Sequence, residues 1–336
     1  MARRTSDYDE DDVRVRPGRR GSRPRTRIRP AHEDAVAALV TAVDRGRYRC
    51  LVDAGTDDER PVTAMRAREL GRKSVVVGDR VALVGDLSGG PDALARIVRI
   101  EPRTSALRRT ADDTDPFERV IVANADQLVV VAALADPEPR PRLIDRTLVA
   151  AYDAGMDPLL ALTKADLAGP DALVAEYAPL GVPFVVTERG GDLAELRGHL
   201  SGRVSVLVGH SGVGKSTLVN ALVPDAERAV SHVNAVTGRG RHTSSSALAL
   251  ELPDRAGWII DTPGVRSFGL AHVTPENVIG AFEDLAEGAA ERCPPQCDHL
   301  QDDCGLDGWV ADGHATRARL DSLRRLLRAR EGGDEA

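Results

Sequence analysis

The amino-acid sequence predicts a multidomain protein with a small N-terminal β-barrel, a central α/β domain and an α-helical C-terminal domain. Short β-like runs separated by turn residues occupy residues 31–105, which is typical of a small barrel such as an OB-fold. From residue 127 onward, apolar runs alternate with helical patterns, which favours a largely parallel sheet covered on both faces. A leucine- and arginine-rich segment, residues 315–330, predicts a closing amphipathic helix.

These patterns divide the chain into four parts. We expect a charged, disordered tail over 1–30, the barrel over 31–105, the α/β domain over 106–270 and the helical domain over 271–336. The tail has an acidic cluster within residues 7–12 and then eight arginines within residues 13–30. Such a tail could bind phosphate backbones, or it could serve only solubility, and its composition leaves both open.

Individual elements follow from local pattern. In the barrel, β-like runs cover 48–52, 74–77, 80–84 and 96–100, and the polar stretch 103–120 is expected to be a linker. In the α/β domain, strands are expected at 127–132, 158–162, 184–186, 247–252 and 258–261, and helices at 142–154, 171–178 and 192–200. The segment 231–246 is expected to be mobile, and helices are expected at 275–287 and 315–330.

Composition limits the possible settings of the protein. No stretch of the 336 residues approaches the roughly 20 apolar residues of a membrane span. The N-terminus is charged and lacks the apolar core of a secretory signal. We therefore expect a cytoplasmic protein without a membrane partner.

One short motif carries the clearest chemical signal. Residues 209–217 match G-x-x-x-x-G-K-[ST], between an apolar strand and a helix start, and this is the context of a phosphate-binding P-loop. Lys215 is predicted to reach the β- and γ-phosphates of a nucleotide, and Ser216 to bind Mg²⁺. The motif consists of Gly209, His210, Ser211, Gly212, Val213, Gly214, Lys215, Ser216 and Thr217.

Two further motifs lie at the ends of predicted strands. Asp261 and Gly264 form D-x-x-G, 45 residues after Ser216, where a GTPase places its Mg²⁺-binding Asp and its γ-phosphate-sensing Gly. Thr163, Lys164, Ala165 and Asp166 are similar to the N-K-x-D motif that reads guanine, with Thr in place of Asn. A carboxylate at Asp166 would accept hydrogen bonds from N1–H and the 2-amino group of guanine, which adenine does not offer.

The order of these motifs is permuted. The base-reading motif precedes Gly209 by 45 residues, whereas in ordinary GTPases it follows the P-loop. Two further features are the run Gly240-Arg241-His242-Thr243 and a cluster of Cys293, Cys297, His299 and Cys304. With these features, the permuted order and the 209–217 loop, the chain resembles the ribosome small-subunit-dependent GTPases, the RsgA family, over about residues 31–330.

The resemblance implies an OB-fold, a circularly permuted P-loop GTPase domain and a C-terminal zinc domain. It also implies binding of GTP and GDP, with hydrolysis to GDP and phosphate that the small (30S) ribosomal subunit stimulates. The implied partners are that subunit and its rRNA, the implied role is late maturation of the subunit, and we expect a monomer. The barrel agrees with RNA binding, although Tyr48 is its only aromatic residue; a barrel that merely packs on its neighbour remains an alternative.

Three of the four cysteines lie within residues 293–304. In a cytoplasmic protein such a cluster favours a metal over disulfides. Three thiolates and an imidazole suit one closed, structural zinc site, although the resemblance implies one more residue in the first and last gaps. The ligands are Cys293, Cys297, His299 and Cys304.

Catalysis requires a positioned water, but Val265 and Arg266 follow Gly264 and no Gln is near. By resemblance and by chemistry, His242 is the candidate that orients this water. Thr243 is the candidate that closes on Mg²⁺ and the γ-phosphate, beside Ser216 and Asp261. We expect slow intrinsic hydrolysis. Two other functions remain open on these residues: a nucleotide-gated RNA clamp with negligible turnover, and a P-loop phosphotransferase acting on a small molecule.

Overall fold

The structure is a computed structural model, and it describes residues 32–44, 46–70, 74–90, 92–110, 118–224, 226, 247–263, 269–301 and 304–331. Residues 34–336 cluster as one compact unit. Within the described residues, no helix is both long and apolar enough to cross a bilayer.

The predicted barrel is confirmed as a closed, five-stranded one. Its strands pair in the order β1-β2-β3-β5-β4, and β4 returns to β1. The strands are β1 (Val36–Asp44), β2 (Arg47–Val52), β3 (Arg60–Arg66), β4 (Arg80–Gly85) and β5 (Ala95–Ile100). Along β2, buried residues alternate with more exposed ones, so one face fills the barrel. Val40, Cys50 and Leu83 are fully buried there.

Local pattern gave an incomplete or wrong account of four barrel and connector segments. The sequence analysis did not identify β1, although seven of its nine residues are apolar, nor β3, whose run mixes polar and apolar residues. Residues 74–77 form no continuous strand: Val77 makes an isolated bridge to Val122, and the amide of Val76 is bonded to the Asp79 carboxylate at 2.8 Å. The expected linker 103–120 instead contains β6 (Ala106–Arg109) and the start of β7 (Arg119–Ala123), which pair antiparallel.

The α/β part forms the other half of the same sheet. Parallel strands lie in the order β10-β9-β8-β11-β13, and β12 is antiparallel to β13. A single register pair, Ala42 with Leu248, joins β12 to β1 of the barrel. The strands are β8 (Gln127–Ala133), β9 (Asp157–Thr163), β10 (Phe184–Val186), β11 (Val204–Gly209), β12 (Leu248–Glu251) and β13 (Trp258–Asp261).

The α/β sheet is covered on both faces, as the continuous apolar runs predict. Every residue of β8 is buried. Its alternate residues enter two different core clusters: Leu128 and Val130 pack in one, Val129 and Val131 in the other. The helices that follow the strands are α1 (Pro141–Asp153), α2 (Asp171–Tyr177), α3 (Ala194–Leu200) and α4 (Lys215–Leu222).

The C-terminal part consists of helices packed on α1. They are α5 (Pro275–Ile279), α6 (Glu283–Arg292), α7 (Gly305–Ala311) and α8 (Arg317–Glu331). The expected single helix 275–287 is therefore two, and the break ends at Phe282, which is fully buried. The apolar face of α8 is buried as predicted, with Leu320, Leu323, Leu326 and Leu327 at most 1% exposed.

The arginines of α8 do not form one open basic face. Arg319 pairs with Asp284 at 2.6 Å, and Arg325 pairs with Asp145 of α1 at 3.1 Å. These two arginines therefore form ion pairs within the chain, and the pairs connect α8 to α6 and α1.

Candidate functional site: a nucleotide-binding edge and a metal cluster

The predicted P-loop lies between β11, which ends at Gly209, and α4, which begins at Lys215. Gly212 and Gly214 have φ of +88° and +90°, values that glycine adopts without strain. A Cβ at Gly209 would lie 2.7 Å from the carbonyl oxygen of Val131, so this position has no room for a side chain. Strand, glycine loop and helix follow one another as a phosphate-binding loop requires.

Lys215 and Asp261 meet at this edge of the sheet. Asp261 is the last residue of β13, which runs parallel to β11 with Asp261 opposite Leu207. The ammonium of Lys215 contacts the Asp261 carboxylate and lies 2.5 Å from the Thr262 carbonyl oxygen. Lys215 is buried, and the Asp261 side chain is about a quarter exposed. The edge thus offers one cation and one carboxylate, the pair that a nucleotide phosphate and its divalent cation require.

The residues of the predicted base-reading motif lie beside the P-loop. Thr163 is the last residue of β9 and is buried. Its hydroxyl donates to the Val213 carbonyl at 2.5 Å, so the Thr that replaces Asn ties the two motifs together. Lys164 has φ of +61°, and its ammonium contacts the carbonyl of Asp136. Asp166 is exposed, and within the described residues its carboxylate is engaged by no hydrogen bond or ion pair.

Sequence reasoning missed two segments at the same edge. Thr187 follows β10, and its carbonyl accepts from the Ala165 amide at 3.2 Å. Pro137 follows β8, and its Cδ would lie 3.5 Å from a Cβ at Gly212. Neither segment carries a motif, but each follows a parallel strand, and ligands of α/β sheets bind outside the carboxyl ends of the strands.

Two further P-loop residues lie at the start of α4, and three other predicted site residues lie outside the described part of the chain. Ser216 and Thr217 are exposed in the first turn of α4. His242, Thr243 and Gly264 lie outside the described residues, so their roles remain predictions, as does the expected mobility of 231–246.

The predicted metal ligands converge. The Cys304 sulfur lies 3.7 Å from that of Cys293 and 3.9 Å from that of Cys297, and 3.6 Å from Nδ1 of His299. All four ligand atoms lie within 4.8 Å of one another. Bonds of about 2.3 Å from one tetrahedral ion would hold two sulfurs about 3.8 Å apart. The four residues could therefore bind one metal ion, and the short gaps between them do not prevent the convergence.

Electrostatics around the cluster disfavour free ionised thiols. Burial raises the pKa of the Cys293, Cys297 and Cys304 thiols. Burial also lowers the pKa of His299, which keeps the imidazole neutral as a metal ligand must be. A bound cation would supply the charge that stabilises the thiolates.

Arg324 of α8 connects the backbone at His299, one of the predicted metal ligands, to Asp307 of α7. Its Nε donates to the His299 carbonyl at 2.9 Å, and its two terminal nitrogens donate to the Asp307 carboxylate at 3.0 and 2.5 Å. The guanidinium is nearly fully buried, and its hydrogen bonds lower the pKa of Asp307. A fork of this kind fixes direction as well as distance.

Comparisons with known proteins agree with this geometry. The family model described as RsgA GTPase matches residues 100–271. Small ribosomal subunit biogenesis GTPase RsgA of Pseudomonas aeruginosa (strain LESB58) is 40% identical over 263 residues, which cover 76% of this chain and 75% of that protein. Its namesake from Pseudomonas syringae pv. tomato is 38% identical over 263 residues, covering 76% and 74%.

Two solved structures share the fold. The crystal structure of YloQ, a circularly permuted GTPase, has a TM-score of 0.63 and 22% identity, covering 90% of this chain and 96% of its own. YjeQ from Thermotoga maritima has a TM-score of 0.63 and 24% identity, covering 89% and 99%.

The fold and site define a circularly permuted P-loop GTPase fold, with a closed β-barrel before it and a Cys/His cluster after it. The chain belongs to the RsgA GTPase family.

Proposed function

We propose that this chain is a GTPase that binds the small ribosomal subunit during its late maturation and hydrolyses GTP with stimulation by the subunit. One observation carries the nucleotide part: the hydroxyl of Thr163 bonds the Val213 carbonyl, so the base-reading and phosphate-binding motifs adjoin at one sheet edge despite their permuted order. The ribosomal part rests on the relatives, which are named for small-subunit biogenesis. The cytoplasm is then the proposed site of action.

Different residues at this edge contact the base and the phosphates of GTP. Asp166, exposed and free of partners among the described residues, accepts hydrogen bonds from the guanine edge. The amides of residues 210–214 and the N-terminus of α4 bind phosphate oxygens. Lys215 exchanges its contact with Asp261 for the β- and γ-phosphates, because a triphosphate carries more negative charge than one carboxylate.

Ser216 and Asp261 fit a divalent cation, since both offer oxygen ligands next to the phosphate loop. Mg²⁺ bound there neutralises charge that develops on the β- and γ-phosphate oxygens. Thr243 and Gly264 are proposed to complete the γ-phosphate contacts, and His242 to orient the attacking water.

Zinc is the proposed metal of the cysteine cluster. Three thiolates and one imidazole in tetrahedral spacing suit Zn²⁺, and four protein ligands leave no open position for a substrate. The zinc would then be structural. Because β13 ends at Asp261 and α5 begins at Pro275, a change at the γ-phosphate has a short covalent path to this part of the protein.

The test is GTP turnover by the zinc-loaded protein with and without purified small subunits, with ATP as the control nucleotide. We expect strong stimulation that is specific to GTP. Turnover that stays flat when subunits are added would contradict the ribosomal part, and equal use of ATP would contradict the guanine assignment.

A further inference from the structure

A cleft of about 450 Å³ lies between the barrel and the α/β sheet. It is lined by Ala38 and Leu39 of β1, by Val204, which begins β11, and by Trp258, which begins β13. The proposed nucleotide site lies at the opposite ends of β11 and β13, so the two sites are separate. The volume is within the range of small-ligand sites.

Two contacts between the parts hold the walls of the cleft. On one side, Arg255 donates to the carbonyls of Gly55 and Thr56 at 3.2 and 3.0 Å. On the other side, the side-chain amide of Asn124 donates to the Gly78 carbonyl at 2.8 Å. Gly78 has no room for a Cβ, which would lie 2.0 Å from the Ala123 carbonyl oxygen. These contacts tie the barrel to the rest of the chain next to the cleft, and the Asn124–Gly78 bond lies in its lining.

The lining combines an apolar wall with the side chain of Arg80, which is positively charged. Ala249 and Ile260 are buried in the wall, and Trp258 is partly buried beside them. Arg80 is exposed, and within the described residues its guanidinium forms no hydrogen bond or ion pair. Asp53, the acidic residue of the lining, is paired with Arg60 at 2.8 Å.

We infer that this cleft binds one unstacked nucleotide of a single-stranded RNA segment, with the base against Trp258 and a phosphate at Arg80. An apolar slot of this size with an indole accepts a planar ring, and bases stack on aromatic side chains without regard to sequence. The unpaired guanidinium adds attraction for a phosphate. This inference shares an RNA partner with the proposed function, but it uses neither the nucleotide edge nor the metal cluster.

The test measures the binding of fluorescein-labelled pentauridylate to the full chain by anisotropy, with the P-loop saturated with GDP and Mg²⁺. We expect Arg80→Ala to weaken binding at least five-fold and to reduce the slope of log K against log salt by about 0.7, the value for one single-strand phosphate. Trp258→Leu should weaken binding at least five-fold, whereas Trp258→Phe keeps a ring and should stay near wild type.

Two further variants serve as a control outside the cleft and as a second change within it. Arg68→Ala removes an equally exposed arginine of the barrel that is not part of the cleft, and it should bind like wild type. Ala37→Trp narrows the cleft from an exposed lining position and should weaken binding even where Trp258→Leu fails to fold.

Unchanged affinity in both Arg80→Ala and Ala37→Trp would overturn the inference, as would an equal loss in Arg68→Ala. Displacement of the probe by UMP at the concentrations effective for unlabelled pentauridylate would identify a free nucleotide as the ligand and overturn the assignment to RNA. Because GTP turnover is not measured, these outcomes are distinct from a failure of the proposed GTPase function.

Discussion

The nucleotide-binding edge and the metal cluster differ in whether their side chains already bond to one another. At the edge, the side chains already bond one another: Lys215 contacts Asp261, and Thr163 bonds Val213. In the cluster, three sulfurs and one imidazole nitrogen face a common centre within 4.8 Å. Strands of a large sheet position the backbone of the first site, whichever partner Lys215 contacts. The four ligands of the second site lie in and between the ends of helices, and we expect this site to need its ion.

The largest effect is expected from Lys215→Ala. Loss of the ammonium removes transition-state stabilisation, so the turnover number for GTP should fall at least 100-fold, or roughly 3 kcal/mol. The sheet should stay folded, with only a small change in melting temperature. Steady-state turnover and circular dichroism check both points. Arg119→Ala, an exposed charge on β7, is the control. Turnover that survives the loss of Lys215 would contradict the assigned phosphate role.

Asp166→Asn should change which base is bound. In the proposed role the Asp166 carboxylate accepts from the guanine edge, whereas an amide would donate to the 2-carbonyl of xanthine. We therefore expect about 100-fold weaker GTP binding, with XTP preferred over GTP. Competition binding with both nucleotides measures the change. Asp171→Asn, on the exposed start of α2, should leave the preference for GTP intact. Equal GTP affinity in Asp166→Asn and wild type would contradict base reading by this residue.

Removal of a metal ligand should destabilise the helical part and leave the nucleotide edge largely intact. Cys297→Ser should lower bound zinc from one ion per chain to none and lower the melting temperature of that part. Elemental analysis and calorimetry measure these effects. Cys50→Ala, in the barrel core, should retain the ion. A loss of GTP affinity that matches the loss of zinc would show that the two regions are coupled, against the contrast drawn above.

A smaller effect is expected from Arg324→Lys. Lysine keeps the charge but loses the fork that joins the His299 carbonyl to Asp307, at a cost of about 1–3 kcal/mol in the free energy of unfolding. Chemical denaturation measures this cost. Arg328→Lys, on the exposed side of the same helix, should cost much less. Equal costs for the two variants would contradict the role of the fork.

The smallest effect concerns pH at the contact between α1 and α8. Burial raises the pKa of Asp145 from 3.8 to about 6. The native state therefore holds this proton when the unfolded chain has lost it, so the free energy of unfolding falls as pH rises from about 4 to about 6. Between pH 5 and 7.5, wild type should lose roughly 1 kcal/mol relative to Asp145→Asn. Parallel pH profiles of the two proteins would contradict this.

The sequence by itself determined those motifs and elements whose pattern depends only on residues close together in the chain. Glycine and lysine spacing at 209–217 indicates a phosphate loop, because only such a sequence forms that turn and offers that charge. The continuous apolar run of β8 indicates a strand buried on both faces. The ligand types at 293–304 indicate a metal, because three closely spaced cysteines and a histidine offer the donor set of a tetrahedral site. The positions of the motifs along the chain also show the permuted order, because 163–166 precedes 209–217.

Only the tertiary structure decided how these parts are joined, because non-local contacts leave no periodicity in the chain. The bond between Thr163 and Val213 spans 50 residues, and it explains the Thr that stands where Asn is usual. Strand β3 has little apolar pattern of its own and depends on its partners in the closed barrel. Arginines of α8 find partners in Asp145, Asp284 and Asp307, which lie on three other helices. The cleft beside Trp258 exists only because the barrel and the α/β part meet there.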